Sequence, residues 1–152
     1  MPHMVDPKGP SAPHAHAYAS VTVPSRLESI RLAAEFIVQC AKNMLVPAAA
    51  EPMFEVAIVE ALNNALEHGN PNGHPEALIV CELEVVNHCL SVRVLGQWQD
   101  FTLPPPPEDW SPDAVATIPE GGFGLPIIQE VFPMVRTISR SGRFGLEMVV
   151  PF

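Results

Sequence analysis

Three segments of this chain alternate with a period of two. Ile79, Cys81, Leu83 and Val85 are separated by Glu82 and Glu84, and Leu90, Val92 and Val94 by Ser91 and Arg93. Phe144, Leu146, Met148 and Val150 enclose Glu147 in the same way. Successive side chains of a strand point to opposite faces, so each segment reads as a strand with one apolar and one polar face. Strands of this kind need a second layer over their apolar face. Tyr18 to Val23 adds another alternating strand, and Arg136 to Ser141 pairs with Phe144 to Val150 through a turn at Ser141-Gly142. The two middle strands meet near Val86-Asn87-His88. The expectation is a two-layer α/β sandwich: a mixed, mostly antiparallel sheet of about five strands with about three helices on one face.

Two long helices supply most of the cover. One opens at Pro24-Ser25 and runs to about Asn43, with Ser25 and Glu28 spaced as a capping box. The second runs from Ala49 or Ala50 to His68 and is ended by Gly69 and the turn Asn70-Pro71-Asn72-Gly73. Phe54, Ile58, Ala61, Leu62 and Ala65 make its apolar face. At roughly 100° per residue, Glu60, Asn64 and His68 fall on one narrow stripe beside that face. An ordinary solvated edge is one account of the stripe. The other is a cation site, since a carboxylate and a neutral carboxamide oxygen suit a partly hydrated Mg²⁺.

A second segment bears on that choice. In Pro119-Glu-Gly-Gly-Phe-Gly-Leu-Pro-Ile-Ile128, Gly121, Gly122 and Gly124 remove β-carbons from a loop that feeds a helix, with Pro126 in its first turn. Free N–H groups and the positive end of the helix dipole favour an anion there. Together the segments suggest one Mg²⁺–phosphate site.

The pattern E-x-x-x-N-A-x-x-H-G, followed by E-G-G-x-G-L, resembles the GHKL (Bergerat-fold) ATPase superfamily, and within it the small anti-sigma-factor serine kinases. The likeness runs from about Tyr18 to Phe152. Glu60, Asn64, His68 and Gly69 match the N box of that family; Gly121, Gly122 and Gly124 match its second glycine box. By resemblance, Asn64 would hold Mg²⁺ and Glu60 would serve as catalytic base. His68, Gly69, Gly96, Phe123 and Leu125 would join the glycines in holding ATP. The resemblance also implies a sigma factor and a serine-bearing antagonist as partners, and allows a homodimer.

One departure matters. Aligning the first glycine box on Gly96, and on Asp100-Phe101, puts Val94 where the family has an adenine-reading Asp. Val cannot accept a hydrogen bond, a loss worth about 1–3 kcal/mol. Asp100 is the alternative reader.

Length and charge agree with one domain, residues 18–152, after a tail of residues 1–17. The tail carries Pro2, Pro7, Pro10 and Pro13 with His3, His14 and His16, a composition that reads as disordered. Its His-Ala-His could instead bind a metal. Residues 97–120, with Pro104 to Pro107 in a row, read as a long loop, and the resemblance makes it a nucleotide lid. Trp98, Phe101 and Trp110 in it would cover the core edge, the nucleotide or a partner. A formal net charge of −9 argues against direct nucleic-acid binding and fits a partner with a basic patch. Cys40, Cys81 and Cys89 read as buried free thiols rather than a disulfide or metal set. No run approaches a membrane span, and no signal peptide is visible, so a cytoplasmic home is expected. Two functional classes follow: a serine kinase that also sequesters a sigma factor, or a binding module on the same fold that has lost efficient phosphotransfer.

Overall fold

The computed structural model describes residues 16–70, 73–96 and 124–152. Five strands among these residues form one sheet: β1 (Ala17–Pro24), β2 (Leu78–Val86), β3 (Cys89–Gly96), β4 (Met134–Arg140) and β5 (Arg143–Pro151). Their spatial order is β1-β2-β3-β5-β4, and each pairing is antiparallel. The expected mixed sheet is therefore antiparallel throughout the described residues. Both tight hairpins turn where the sequence predicts. Asn87-His88 and Ser141-Gly142 all take positive φ, the conformation that matches the right-handed twist of the flanking strands.

Among the described residues three α-helices accompany the sheet: α1 (Leu27–Asn43), α2 (Pro52–Gly69) and α3 (Leu125–Val131). Ile30, Ala33, Ala34, Ile37 and Ala41 of α1 are buried, as are Phe54, Ile58, Ala61, Leu62 and Ala65 of α2. They close over Ile79, Cys81, Leu83, Leu90, Val92, Val94, Leu146 and Met148 to make the core. Phe54 meets Phe132, just past α3, with ring centroids 5.5 Å apart. This contact anchors the end of α3 to the start of α2.

Two local expectations are corrected. The Ser25–Glu28 capping box does not form: Arg26 is the N-cap without a side-chain cap bond, and the Ser25 hydroxyl is buried without a partner. Ser25 instead donates its backbone N–H to the Ala77 carbonyl at 2.8 Å, which ties it to the approach to β2 and moves the helix start to Leu27. The second helix does not begin at Ala49 or Ala50. Those residues lie in a 3₁₀ turn, Pro47–Ala50, and α2 starts at Pro52. A proline fits the first turn because its missing N–H has no partner there in any helix.

The side of the sheet away from the helices is not bare. Arg93 donates to Glu147 at 2.7 Å and to Glu84 at 2.8 Å; Arg136 pairs with Glu147 at 2.6 Å and Arg140 with Glu82 at 3.2 Å. Glu147 lies on the outer face as expected, yet the two arginines bury it to 6% exposure. Burial pushes its carboxyl up, but the bonds from Arg93 and Arg136 outweigh that and hold it below its ordinary range. The bond from Arg93, with a smaller one from His16, lowers Glu84 as well.

All three cysteines are free thiols. Cys81 is buried, and loss of solvent pushes its thiol up to about 12. Cys40 and Cys89 are only half-buried. No helix among the described residues is long and apolar enough to cross a membrane.

Candidate functional site

The site builds from α2. Four residues of helix advance about 6 Å, so Glu60, Asn64 and His68 stand as steps along one edge. Glu60 and His68 are half-buried, and Asn64 is buried at 5% exposure, deeper than a solvated edge would place an amide. His68 lies 4.0 Å from the Glu67 carboxylate at the helix end.

Gly124 brings the distant glycine segment to this edge. It is the N-cap of α3, with φ 56° and ψ 19°, and α3 begins at Leu125 with Pro126 in its first turn. A β-carbon on Gly124 would lie 2.5 Å from Glu60 Oε2 and 3.1 Å from Glu60 Cβ and Cδ. Both the backbone angle and the contact therefore require glycine. Leu125 is buried and fixes the start of α3 on the core. Two segments some sixty residues apart thus meet with a carboxylate on one side and a helix N-terminus on the other. Gly121, Gly122 and Phe123 lie outside the described residues, as do Asp100 and the aromatic residues of segment 97–120. The turn residues Pro71 and Asn72, and tail residues 1–15, also lie outside them.

Gly69 and Gly96 have a different local role from the loop glycine. A β-carbon on Gly69 would be 3.2 Å from Gly96 Cα, and one on Gly96 would be 3.0 Å from Gly69 Cα. They let the end of α2 touch the end of β3 backbone to backbone. Beside this contact lies a small open recess of about 10 Å³, room for about one water, lined by Ala61, Asn64, Ala65, Gly69, Val94, Phe144, Gly145 and Leu146. Val94 faces the helices in its wall at 1% exposure.

Sequence reasoning missed Gly145. A β-carbon there would fall 1.9 Å from the Val94 carbonyl oxygen and 2.9 Å from Leu95 Cα. The available signal was a glycine inside an otherwise alternating strand, which marks close backbone approach. Asn70 was also more than a turn residue. Its side chain accepts from the His74 N–H at 2.9 Å and donates to the His74 carbonyl at 3.1 Å, clamping the exit from α2.

The arrangement offers one carboxylate, one buried carboxamide and the N-terminal end of a helix around a common edge. That donor chemistry fits a Mg²⁺-bound polyphosphate, in which the ion takes few protein ligands and the phosphates supply others. No group of three or more His, Cys, Asp or Glu among the described residues is placed to hold a metal by itself.

No curated protein shows a significant match to the chain. A family model described as histidine kinase-like ATPase domain matches residues 23–149, which include α2, the recess and the glycine segment. Its span over nearly the whole sheet and all three helices establishes that the chain belongs to the histidine kinase-like ATPase family of the GHKL superfamily.

Proposed function

We propose that this chain is an ATP-dependent protein serine kinase that also holds a sigma factor, with an antagonist protein as phosphoacceptor. The observation that carries the reading is the meeting of Glu60 and Gly124 beside Asn64. Glu60 lies half-buried on the edge of α2 that the N-cap of α3 approaches, where an incoming hydroxyl would meet its carboxylate. In this reading Glu60 orients the serine Oγ and accepts its proton while Oγ bonds to the γ-phosphorus. The bond from that phosphorus to the β,γ-bridging oxygen breaks, and ADP leaves. Such transfer has a loose transition state, so positioning and charge stabilisation carry most of the catalysis. Asn64 would hold Mg²⁺, which when bound neutralises developing phosphate charge. Gly124 keeps the backbone N–H groups at the start of α3 open toward the phosphates.

The second reading is a binding module that engages its partner without efficient phosphotransfer, and Val94 is the feature that favours it. Transfer of labelled γ-phosphate to serine-bearing antagonist proteins of the source proteome separates the two. In Glu60→Gln, ATP binding is expected to stay and the transfer rate to fall by about two to four orders of magnitude, the range for loss of a general base. A wild-type rate in that variant removes Glu60 from the chemistry. No transfer by the unaltered protein to any such antagonist leaves the binding-module reading.

A further inference from the structure

The β4–β5 hairpin concentrates positive charge in a chain whose formal net charge is −9. From Met134 to Leu146 it carries Arg136, Arg140 and Arg143 and no Asp or Glu. Arg136 and Arg140 alternate with Ile138 along the outer face of β4, and Arg143 stands opposite Arg140 at the turn. The ion pairs of that face use two of these arginines only in part. The side chain of Arg136 stays 72% exposed and that of Arg140 49%. Arg143 pairs with no carboxylate among the described residues, and its buried Nη1 has no hydrogen-bond partner there. Like charges directly opposite one another destabilise a strand pair, and a nearby anion relieves that repulsion.

β4 is also the edge of the sheet; among the described residues it pairs with β5 alone. The hairpin decides which of its backbone groups are free. Arg140 and Arg143 flank the two-residue turn Ser141-Gly142, whose φ values are 52° and 74°. The closing pair of such a turn exchanges both main-chain hydrogen bonds, and the antiparallel ladder alternates from there. Arg140, Ile138 and Arg136 therefore bond to β5, while Ser139, Thr137 and Val135 direct their N–H and C=O groups outward.

We propose that β4 takes an extended acidic segment of a partner protein as a sixth strand. The main chain of that segment bonds to Val135, Thr137 and Ser139, and every second side chain lies over the outer face. Glutamate or aspartate at those positions meets Arg136 and Arg140, with Arg143 supplying unpaired charge behind them. Charged side chains guard many exposed edges against unwanted pairing. Such a guard excludes basic and apolar strands; toward an acidic strand the same arginines attract.

The test uses the full chain and a blocked synthetic peptide of about ten residues, enough for one strand and its flanks, with glutamate and threonine alternating. Binding is read by titration calorimetry and by amide hydrogen exchange. The glutamate peptide should bind about tenfold or more tighter than the same peptide with lysine for glutamate. Exchange at Val135, Thr137 and Ser139 should slow by about tenfold, and affinity should fall as salt screens the charges. Arg136→Gln combined with Arg140→Gln should weaken binding by about tenfold. Should that variant not fold, the salt series and the exchange map of the unaltered chain decide. Equal binding of the two peptides, or none by the glutamate peptide, overturns the proposal and leaves the arginines as guards of the edge. Proline at the threonine positions removes the N–H groups that would face Thr137 and Ser139. Binding that survives this change, or equally tight binding of single-stranded DNA of matched charge, overturns the added strand and reduces the site to charge alone.

Discussion

The two sides of the sheet handle polar groups in opposite ways. On the outer side, Glu82, Glu84, Arg93, Arg136, Arg140 and Glu147 are joined in ion pairs across β2, β3, β5 and β4. On the helix side, the apolar core runs to the sheet end, where Glu60 and Asn64 sit beside a small recess half of whose lining residues are alanine or glycine. The charges of the outer face pair across neighbouring strands, whereas Glu60 stands where the N-cap of α3 meets α2.

Asn64→Ala should break the comparison most sharply. If the amide serves a ligand, Mg²⁺-dependent ATP binding falls by about a hundredfold or more, the scale of a lost contact to a charged group. Thermal unfolding of the variant should show a folded protein. Unchanged Mg²⁺-ATP affinity would make the buried amide a structural group like those of the outer face.

Gly145→Ala tests the recess floor. Its β-carbon has no space against the Val94 carbonyl, so the strands must part. A loss of about 3 kcal/mol is expected by urea denaturation, at the upper end of overpacking costs. A loss under about 1 kcal/mol would show that β3 and β5 yield easily there.

Gly124→Ala carries a smaller penalty in a different currency. Left-handed backbone costs a non-glycine residue about 1–2 kcal/mol, and the new methyl must displace the Glu60 carboxylate. Nucleotide affinity should therefore drop more than the melting temperature suggests. Equal proportional losses would assign Gly124 to the turn alone.

Arg93→Met probes the outer side and should leave nucleotide binding intact. Glu84 and Glu147 have lowered carboxyl values in the folded chain, held there by Arg93 among others. A lowered carboxylate stabilises above its unfolded value of about 4.3 and loses that contribution as pH falls through the folded value. The variant should thus be less stable at neutral pH by about 1–2 kcal/mol, between surface and buried pairs. The difference from the unaltered chain should shrink below pH 4 or so, as both carboxyls protonate. A constant difference from neutral to acid would mean that Arg93 contributes packing rather than charge.

Much of this was legible in the chain. Period-two alternation identified the strands and their buried side, because one-sided burial leaves no freedom of register. The α2 stripe was legible because helical spacing alone aligns Glu60, Asn64 and His68. The start of α1 was misread because Ser25 has a competing tertiary bond to Ala77, which no local motif announces. The outer ladder escaped for a similar reason. Glu147 read as exposed from its parity, and only the lateral order β2-β3-β5-β4 brings Arg93 and Arg136 to it. Gly69 and Gly96 matched family positions, but their mutual contact depends on a helix and a strand converging, which is a long-range fact.

That contact has a consequence for fit. Jaws made of side chains can swing through rotamers to admit ligands of different thickness. At Gly69 and Gly96 there are no side chains to swing, and the spacing between α2 and β3 is set by main chain against main chain. The gap between the end of α2 and the end of β3 is thus a fixed one, which no rotamer change can open or close. A single methyl added at either glycine would act as a shim, widening the gap by a few tenths of an ångström without altering the chemistry of its walls.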